Sequence, residues 1–349
     1  MPAMPTTATT PTMPTMRALV CHSPREWNDL VVEDIAAPPM IPGGVRIAIA
    51  CGAVSFAMSL QVAGKYQRQY PQPFTPGAEV AGTVMEVAPG VTQVKPGDRV
   101  LAVADWGALA EQVVIPAATV YPLPASLPFD PSIHLTNAYS TAYGSLFWRG
   151  RLLAGETVLV LGAAGAVGVA AVELARNAGA HVIAAASTPE KRAFALAHGA
   201  HAAISNDNLR DAVMQATANE GVDLVYDPVG NPLFDAALRT VKPFGRIVTL
   251  GFAGGQIPQI PANLLLVKNI AVIGFNIGLY YGWSPRDERL KHEPVMRATM
   301  NELFQLAEDG KLKPHVSHRF KLEEFREAMQ VVQSRQSHGK VIIRIRSDV

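Results

Sequence analysis

The strongest chemical signal in the chain is the run Val158-Leu-Val-Leu-Gly-Ala-Ala-Gly-Ala-Val-Gly168. A short apolar strand runs directly into Gly162, Gly165 and Gly168, and an alanine-rich helix follows. Small residues are needed here for three reasons. The chain must turn tightly, its backbone must approach a pyrophosphate, and the helix N-terminus must present N–H donors to an anion. Ala164, Ala166 and Val167 belong to the same cradle. Glycine triplets are common, but one with a strand before it, a helix after it and a second strand about 20 residues on predicts dinucleotide binding. That second strand ends Ala184-Ala-Ala-Ser187, followed by Thr188-Pro-Glu-Lys-Arg192. An NAD site places a carboxylate there to accept from the ribose hydroxyls. Here Ser187 can donate to a 2′-phosphate and Lys191 can pair with it, while Glu190 falls in the following helix start and faces solvent. The expected cofactor is therefore NADPH rather than NADH.

A catalytic zinc needs a set of Cys, His and carboxylate ligands, and a structural zinc needs clustered cysteines. Cys21 and Cys51 are the only cysteines, and they are far apart. The stretch Pro76-Gly-Ala-Glu79 has alanine where a zinc dehydrogenase carries histidine. His315 and His318, in a strand-like region, would point to opposite faces. No metal site is expected.

The elements that must position these residues fall into two kinds. Up to about residue 125 the pattern is of short strands with Pro-Gly punctuation: Arg17 to Cys21, Gly44 to Cys51, Val80 to Val87 and Arg99 to Val103. Residues 132–148 read as one helix. Strands then alternate with helices: Thr157 to Leu161, His181 to Ala186, Asp223 to Tyr226, Arg246 to Gly251 and Ile270 to Phe275, with helices at 166–178, 189–198, 208–219 and 231–241. Such alternation predicts a parallel sheet covered on both faces. Helices near 295–309 and 322–334 precede a closing strand, Lys340 to Ile345, which needs a partner sheet and so should return to the first part.

Composition sets the outer limits. The 349 residues suffice for two cores, and 49% hydrophobic with 17% charged residues describe a globular protein. A net charge of +1 gives no bulk attraction to nucleic acid or membrane, and no apolar run is long enough to span a bilayer. The first 16 residues, rich in Pro, Thr and Ala, read as a disordered extension with neither signal-peptide nor transit-peptide character. With only two cysteines, a reducing, cytoplasmic setting is expected.

The chain resembles the zinc-independent quinone oxidoreductase branch of the medium-chain dehydrogenase/reductase family. The likeness covers nearly all of residues 17–346. It is carried by Phe74-Thr-Pro-Gly-Ala-Glu-Val-Ala-Gly82, Lys95-Pro-Gly-Asp-Arg-Val100, Ser140-Thr-Ala-Tyr143, Asp227-Pro-Val-Gly230, Gly245-Arg-Ile-Val-Thr-Leu-Gly251, Pro261-Ala-Asn-Leu-Leu-Leu266 and Gly339-Lys340. It implies an α/β fold in which a GroES-like, mostly-β catalytic domain (17–138 and 281–349) holds a doubly wound Rossmann domain with a parallel sheet (139–280). NADPH would lie in the cleft between them. It further implies that Thr141, Val229, Gly251, Phe252, Asn276 and Ile277 lie near the nicotinamide, and that Lys340 lies near the cofactor phosphates. Two places depart from the family pattern. Val54-Ser55-Phe56-Ala57-Met58 stands for Val-Asn-Phe-x-Asp, and Asn206 replaces a tyrosine at the ribose phosphate.

Hydride transfer belongs to the cofactor, and the protein positions and polarises. Tyr66 is the candidate donor to the oxygen on which charge develops, with Ser55 second. Phe56, Met58, Phe252, Tyr280 and Tyr281 would wall a site for a flat acceptor. Quinone reduction is the first expectation and reduction of an activated alkene, as in an enone, acrylate or acyl thioester, the second. A non-catalytic NADPH-binding protein is the reading from another class. The apolar last strand, 270–275, predicts a homodimer paired edge to edge.

Overall fold

The computed structural model describes residues 15–24 and 26–346. The expected extension lies outside these residues, save for Thr15 and Met16, which open the first strand. The first part of the chain forms β1 (Thr15–Val20), β2 (Val31–Ala36), β3 (Gly44–Val54), α1 (Phe56–Val62), β4 (Glu79–Val87), β5 (Arg99–Val103), β6 (Gln112–Pro116) and β7 (Val120–Pro122). The middle forms α2 (Phe129–Ser132), α3 (Asn137–Tyr143), β8 (Thr157–Leu161), α4 (Ala166–Asn177), β9 (His181–Ala185), α5 (Pro189–Ala197), β10 (Ala202–Ile204), α6 (Leu209–Ala216), β11 (Val222–Asp227), α7 (Leu233–Thr240), β12 (Val241–Thr249), α8 (Ala262–Lys268) and β13 (Ala271–Gly274). The chain closes with α9 (Arg289–Glu308), β14 (Val316–Lys321), α10 (Phe325–Gln333) and β15 (Lys340–Arg344).

Strands β8 to β13 make a six-stranded sheet in the order β10-β9-β8-β11-β12-β13, with every pair parallel. The order reverses between β8 and β11, so their carboxyl ends bound the crevice where a doubly wound sheet takes its ligand. Each central strand is apolar on both faces, as burial under helices on both sides requires. This is the Rossmann sheet, and the strand set around β3 is the GroES-like one.

The second sheet runs β14-β15-β3-β4-β5-β7, with β6 also on β3. The closing strand does return to the first part: β15 pairs antiparallel with β3, Val341 facing Val54. One hydrophobic core crosses both sheets, joining Cys51, Ala53, Ala81 and Leu101 to Val158, Ala170 and Tyr226. The crevice therefore sits on a continuous packed base.

The stretch expected as one helix over 132–148 is broken into four pieces. α2 passes into a 3-10 turn (Ile133–Leu135), then α3, then a π-helical turn (Gly144–Arg149). The break is at Thr136, whose ψ of −88° leaves the helical region. Its hydroxyl donates to Glu79 Oε2 (3.0 Å) and lies 2.7 Å from the Ile133 carbonyl, so a buried side-chain bond overrides helical periodicity. α9 begins six residues before the expected 295, because Pro294 is accommodated inside the helix.

Candidate active site

The glycine run is a strand-to-helix turn at the carboxyl end of β8. Gly162 is in the left-handed region (φ +60°), which a side chain rarely adopts, and its α-carbon faces Val229. At Gly168 a Cβ would stand 2.2 Å from the Gly162 carbonyl oxygen, so only glycine lets α4 approach the strand this closely. Gly165 caps α4, and the amides of the first turn have no partner within the helix. A cradle of this shape fits a pyrophosphate.

Three segments extend it. At the end of β11, Asp227 is fully buried and accepts from the Val229 and Gly230 amides, both at 2.9 Å, which shapes the Asp-Pro-Val-Gly turn beside Gly162. Burial raises its pKa and those amide bonds pull it back. Gly251 approaches Pro228, and the Ala253 and Gly254 amides bond Pro228 and Val229 at 3.2 and 2.7 Å. At the end of β9, Ser187 is exposed and Lys191 reaches the Arg335 carbonyl. Burial and the Arg335 charge lower the Lys191 pKa. Arg335, left-handed at φ +57°, donates to the Ala253 carbonyl at 2.8 Å. A connected surface thus runs from Lys191 through Arg335 and Ala253 to Val229 and Gly162. Arg335 escaped the sequence reading because it lies 144 residues from Lys191. The buried Asn206 amide oxygen, just after β10, has no partner among the described residues, and Glu190 is exposed.

Lys340 departs from expectation. Its ammonium is buried and bonds both Glu79 oxygens, at 2.6 and 2.7 Å, with Thr136 completing the carboxylate's shell. A lysine held this way is not available to a phosphate. The backbone before it touches the cradle instead: the Gly339 amide donates to the Ala164 carbonyl at 2.9 Å. Beside Ala78, Glu79 therefore has its positive charge supplied by the chain itself. Among the described residues, no group of three His, Cys, Asp or Glu side chains could hold a metal ion.

In the first part of the chain, Ser55 lies in the turn between β3 and α1, and Phe56 beside it is exposed. Tyr66 is half-buried in the loop after α1. Burial raises its hydroxyl pKa and the Arg68 guanidinium draws it part of the way back. Arg68 bonds Asp105 at 2.8 Å, and Arg289 grips both oxygens of that carboxylate at 3.0 Å. This clamp joins the Tyr66 loop, the loop after β5 and the start of α9.

Three expected pocket residues are placed elsewhere. Met58 is buried among Trp27, Phe325 and Met329, because the inward face of α1 packs under α10. Tyr281 is fully buried, its hydroxyl 3.0 Å from Ser140 Oγ and 3.3 Å from the Thr136 carbonyl, so it belongs to the core. Tyr280 packs against Trp148, Phe275 and His292. Phe252 is exposed beside Gly230 and stays a candidate wall. Thr141 is buried on α3, and its hydroxyl is 3.4 Å from Asn137 Oδ1. Asn276 turns its amide oxygen onto the Gly278 N–H at 2.8 Å, which leaves the backbone of 276–277 at the end of β13.

Comparison with known proteins settles the lineage. A family described as zinc-binding dehydrogenase matches residues 166–290, and one described as alcohol dehydrogenase GroES-like domain matches residues 41–125. The rat quinone oxidoreductase-like protein 2 is 37% identical over 335 residues, covering 95% of this chain and 92% of the relative. The chain belongs to the zinc-independent quinone oxidoreductase branch of the medium-chain dehydrogenase/reductase family. It is an oxidoreductase. Among solved structures, a probable oxidoreductase from Mycobacterium abscessus superposes with a TM-score of 0.85 at 33% identity, covering 96% of this chain and 100% of that one. A mycobacterial protein complexed with NADPH superposes equally well, with a TM-score of 0.85 at 26% identity over 95% of this chain and 100% of that one. For a quinone oxidoreductase-type chain, the glycine cradle and the Lys340–Glu79 pair now have a common frame.

Proposed function

We propose that this chain is an NADPH-dependent reductase that delivers hydride to a quinone. The observation that supports the cofactor choice is the end of β9: exposed Ser187 follows the strand, Lys191 reaches the Arg335 carbonyl, and Glu190, the acid nearest in sequence, is exposed. A 2′-phosphate placed there meets a hydroxyl and two cations, whereas a free ribose meets no carboxylate to accept from its hydroxyls. Residues Gly162 to Gly168 would hold the pyrophosphate, and Val229, Gly251, Phe252, Asn276 and Ile277 the nicotinamide half. When bound, NADPH supplies the hydride. A tyrosine hydroxyl carries its proton at neutral pH, and burial shifts its pKa further in that direction, so Tyr66 can donate to the acceptor oxygen as negative charge develops there. Ser55, beside the exposed Phe56, is the second candidate donor.

The same groups serve an activated alkene conjugated to a carbonyl, which also gathers charge on oxygen. The test is loss of NADPH absorbance with benzoquinone, naphthoquinones, enones and an acrylate after dialysis against a chelator. Chelator-resistant turnover with quinones supports the reading; turnover with alkenes alone replaces the acceptor. Tight NADPH binding with no turnover on any acceptor points to a narrower substrate.

A further inference from the structure

His134 is fully buried and has no part in the chemistry above, yet both its ring nitrogens are engaged. Nε2 is 2.9 Å from the Ala166 carbonyl oxygen, and Nδ1 is 3.2 Å from the His315 backbone nitrogen. A carbonyl only accepts and an amide N–H only donates. The ring is therefore neutral, with its proton on Nε2; a second proton on Nδ1 would face the His315 N–H. Ala166 opens α4 immediately after Gly165, and His315 leads into β14. The imidazole thus ties the glycine cradle to a strand of the other sheet.

A second tie flanks it. The Gly339 amide holds the Ala164 carbonyl, and Lys340, next in sequence, is locked onto Glu79. Residues on both sides of Gly165 are in this way fixed from the GroES-like sheet. Further along α4, buried Glu173 accepts from Tyr139 Oη (2.7 Å) and the Lys313 amide (2.9 Å) and pairs with the His198 ring.

We propose that His134 is a positioning residue for the cofactor: its neutral imidazole holds Ala166, and with it the glycine cradle, at the spacing a bound pyrophosphate requires. This rests on the NADPH reading above. Facing the ring are Lys340 on β15, His315 before β14, His198 after α5 and the edge of Tyr139 on α3. Burial, with the Lys340 charge close by, holds the ring's pKa down to about 3, so the tie stays intact throughout the neutral range.

The test uses the full chain with two substitutions of similar volume. In His134→Gln the amide offers both a donor and an acceptor; in His134→Met there is no donor for the Ala166 carbonyl and only a weak thioether acceptor. Fluorescence titration gives the Kd for NADPH, and steady-state kinetics give kcat and both KM values. The expected result for His134→Met is a rise of about tenfold in Kd and KM for NADPH, the size of one lost buried hydrogen bond. Its kcat and acceptor KM should stay within about twofold, and His134→Gln should recover most of the loss. Unchanged NADPH binding in His134→Met, equal losses in both variants, or a fall confined to kcat would overturn the proposal. Should His134→Met fail to fold, ring nitrogen NMR of the unaltered protein decides. A neutral Nε2–H signal that shifts on adding NADPH supports the tie; a charged or unresponsive ring overturns it. Absence of NADPH binding by the unaltered protein would remove the parent reading, and the proposal with it. Binding that His134→Met leaves unchanged removes the proposal alone.

Discussion

At the scale of single residues, the two titratable groups with clearest consequences are half-buried Tyr66 and fully buried His134. Tyr66 carries a phenolic proton that burial makes harder to lose, so Tyr66→Phe removes a donor without emptying space. The expected outcome is a fall of about 10- to 100-fold in kcat with KM for NADPH little changed, since the lost bond is made mainly in the transition state. Unchanged kcat would transfer the role to Ser55 or to water. His134 has its pKa lowered to about 3 from an ordinary 6.5, so between those values the unfolded chain binds more protons than the folded one. Stability then falls as pH falls, with about 1.4 kcal/mol per pH unit from this residue. His315, His338 and His201 are shifted in the same direction. Urea unfolding at a series of acidic pH values should show a shallower slope for His134→Gln than for the unaltered chain, and parallel lines would contradict the assignment. Much of the cradle was legible at this scale because strand, glycine spacing and helix are local features. His134, Arg335 and the Lys340–Glu79 pair were not, because each acts across more than 30 sequence positions and no spacing rule reports such contacts.

At the scale of elements, α4 and its glycines carry the fold's demand for close approach. Gly168→Ala puts a methyl 2.2 Å from a backbone oxygen that cannot move aside, so α4 must shift. We expect a loss of about 1–3 kcal/mol in stability and a higher KM for NADPH, measured by denaturant unfolding and initial rates. A variant that kept both at their original values would mean the cradle is looser than its geometry indicates. Alternating strands and helices between 157 and 275 were readable because each parallel strand is an apolar run bounded by turns. The break at Thr136 was not, since residues 132–148 keep a helix-compatible pattern while one hydroxyl bond to Glu79 redirects the backbone. β2 was hidden for a related reason: its polar, half-exposed sequence lacks an apolar alternation. Met58 and Tyr281 were misplaced because an apolar or aromatic residue near a motif gives no indication of which face it presents.

At the scale of the whole molecule, β13 ends the Rossmann sheet with one ladder unpaired, and Leu266, Val267 and Ile257 near it are exposed. An apolar edge of this kind is a template for pairing with a second copy; we propose a homodimer through it, so light scattering should give twice the 37.3 kDa chain mass, and Ile273→Lys should return the monomer. A single-chain mass at micromolar concentration would count against the dimer.

The most direct test of the central claim compares kcat/KM for NADPH and NADH with one quinone, in the unaltered chain and in a Lys191→Ala, Arg335→Ala double variant. The expected result is a preference for NADPH of at least about tenfold that largely disappears in the variant, as loss of charge-assisted bonds to one phosphate requires. Equal use of both cofactors by the unaltered chain, or a preference that survives the double substitution, would contradict it.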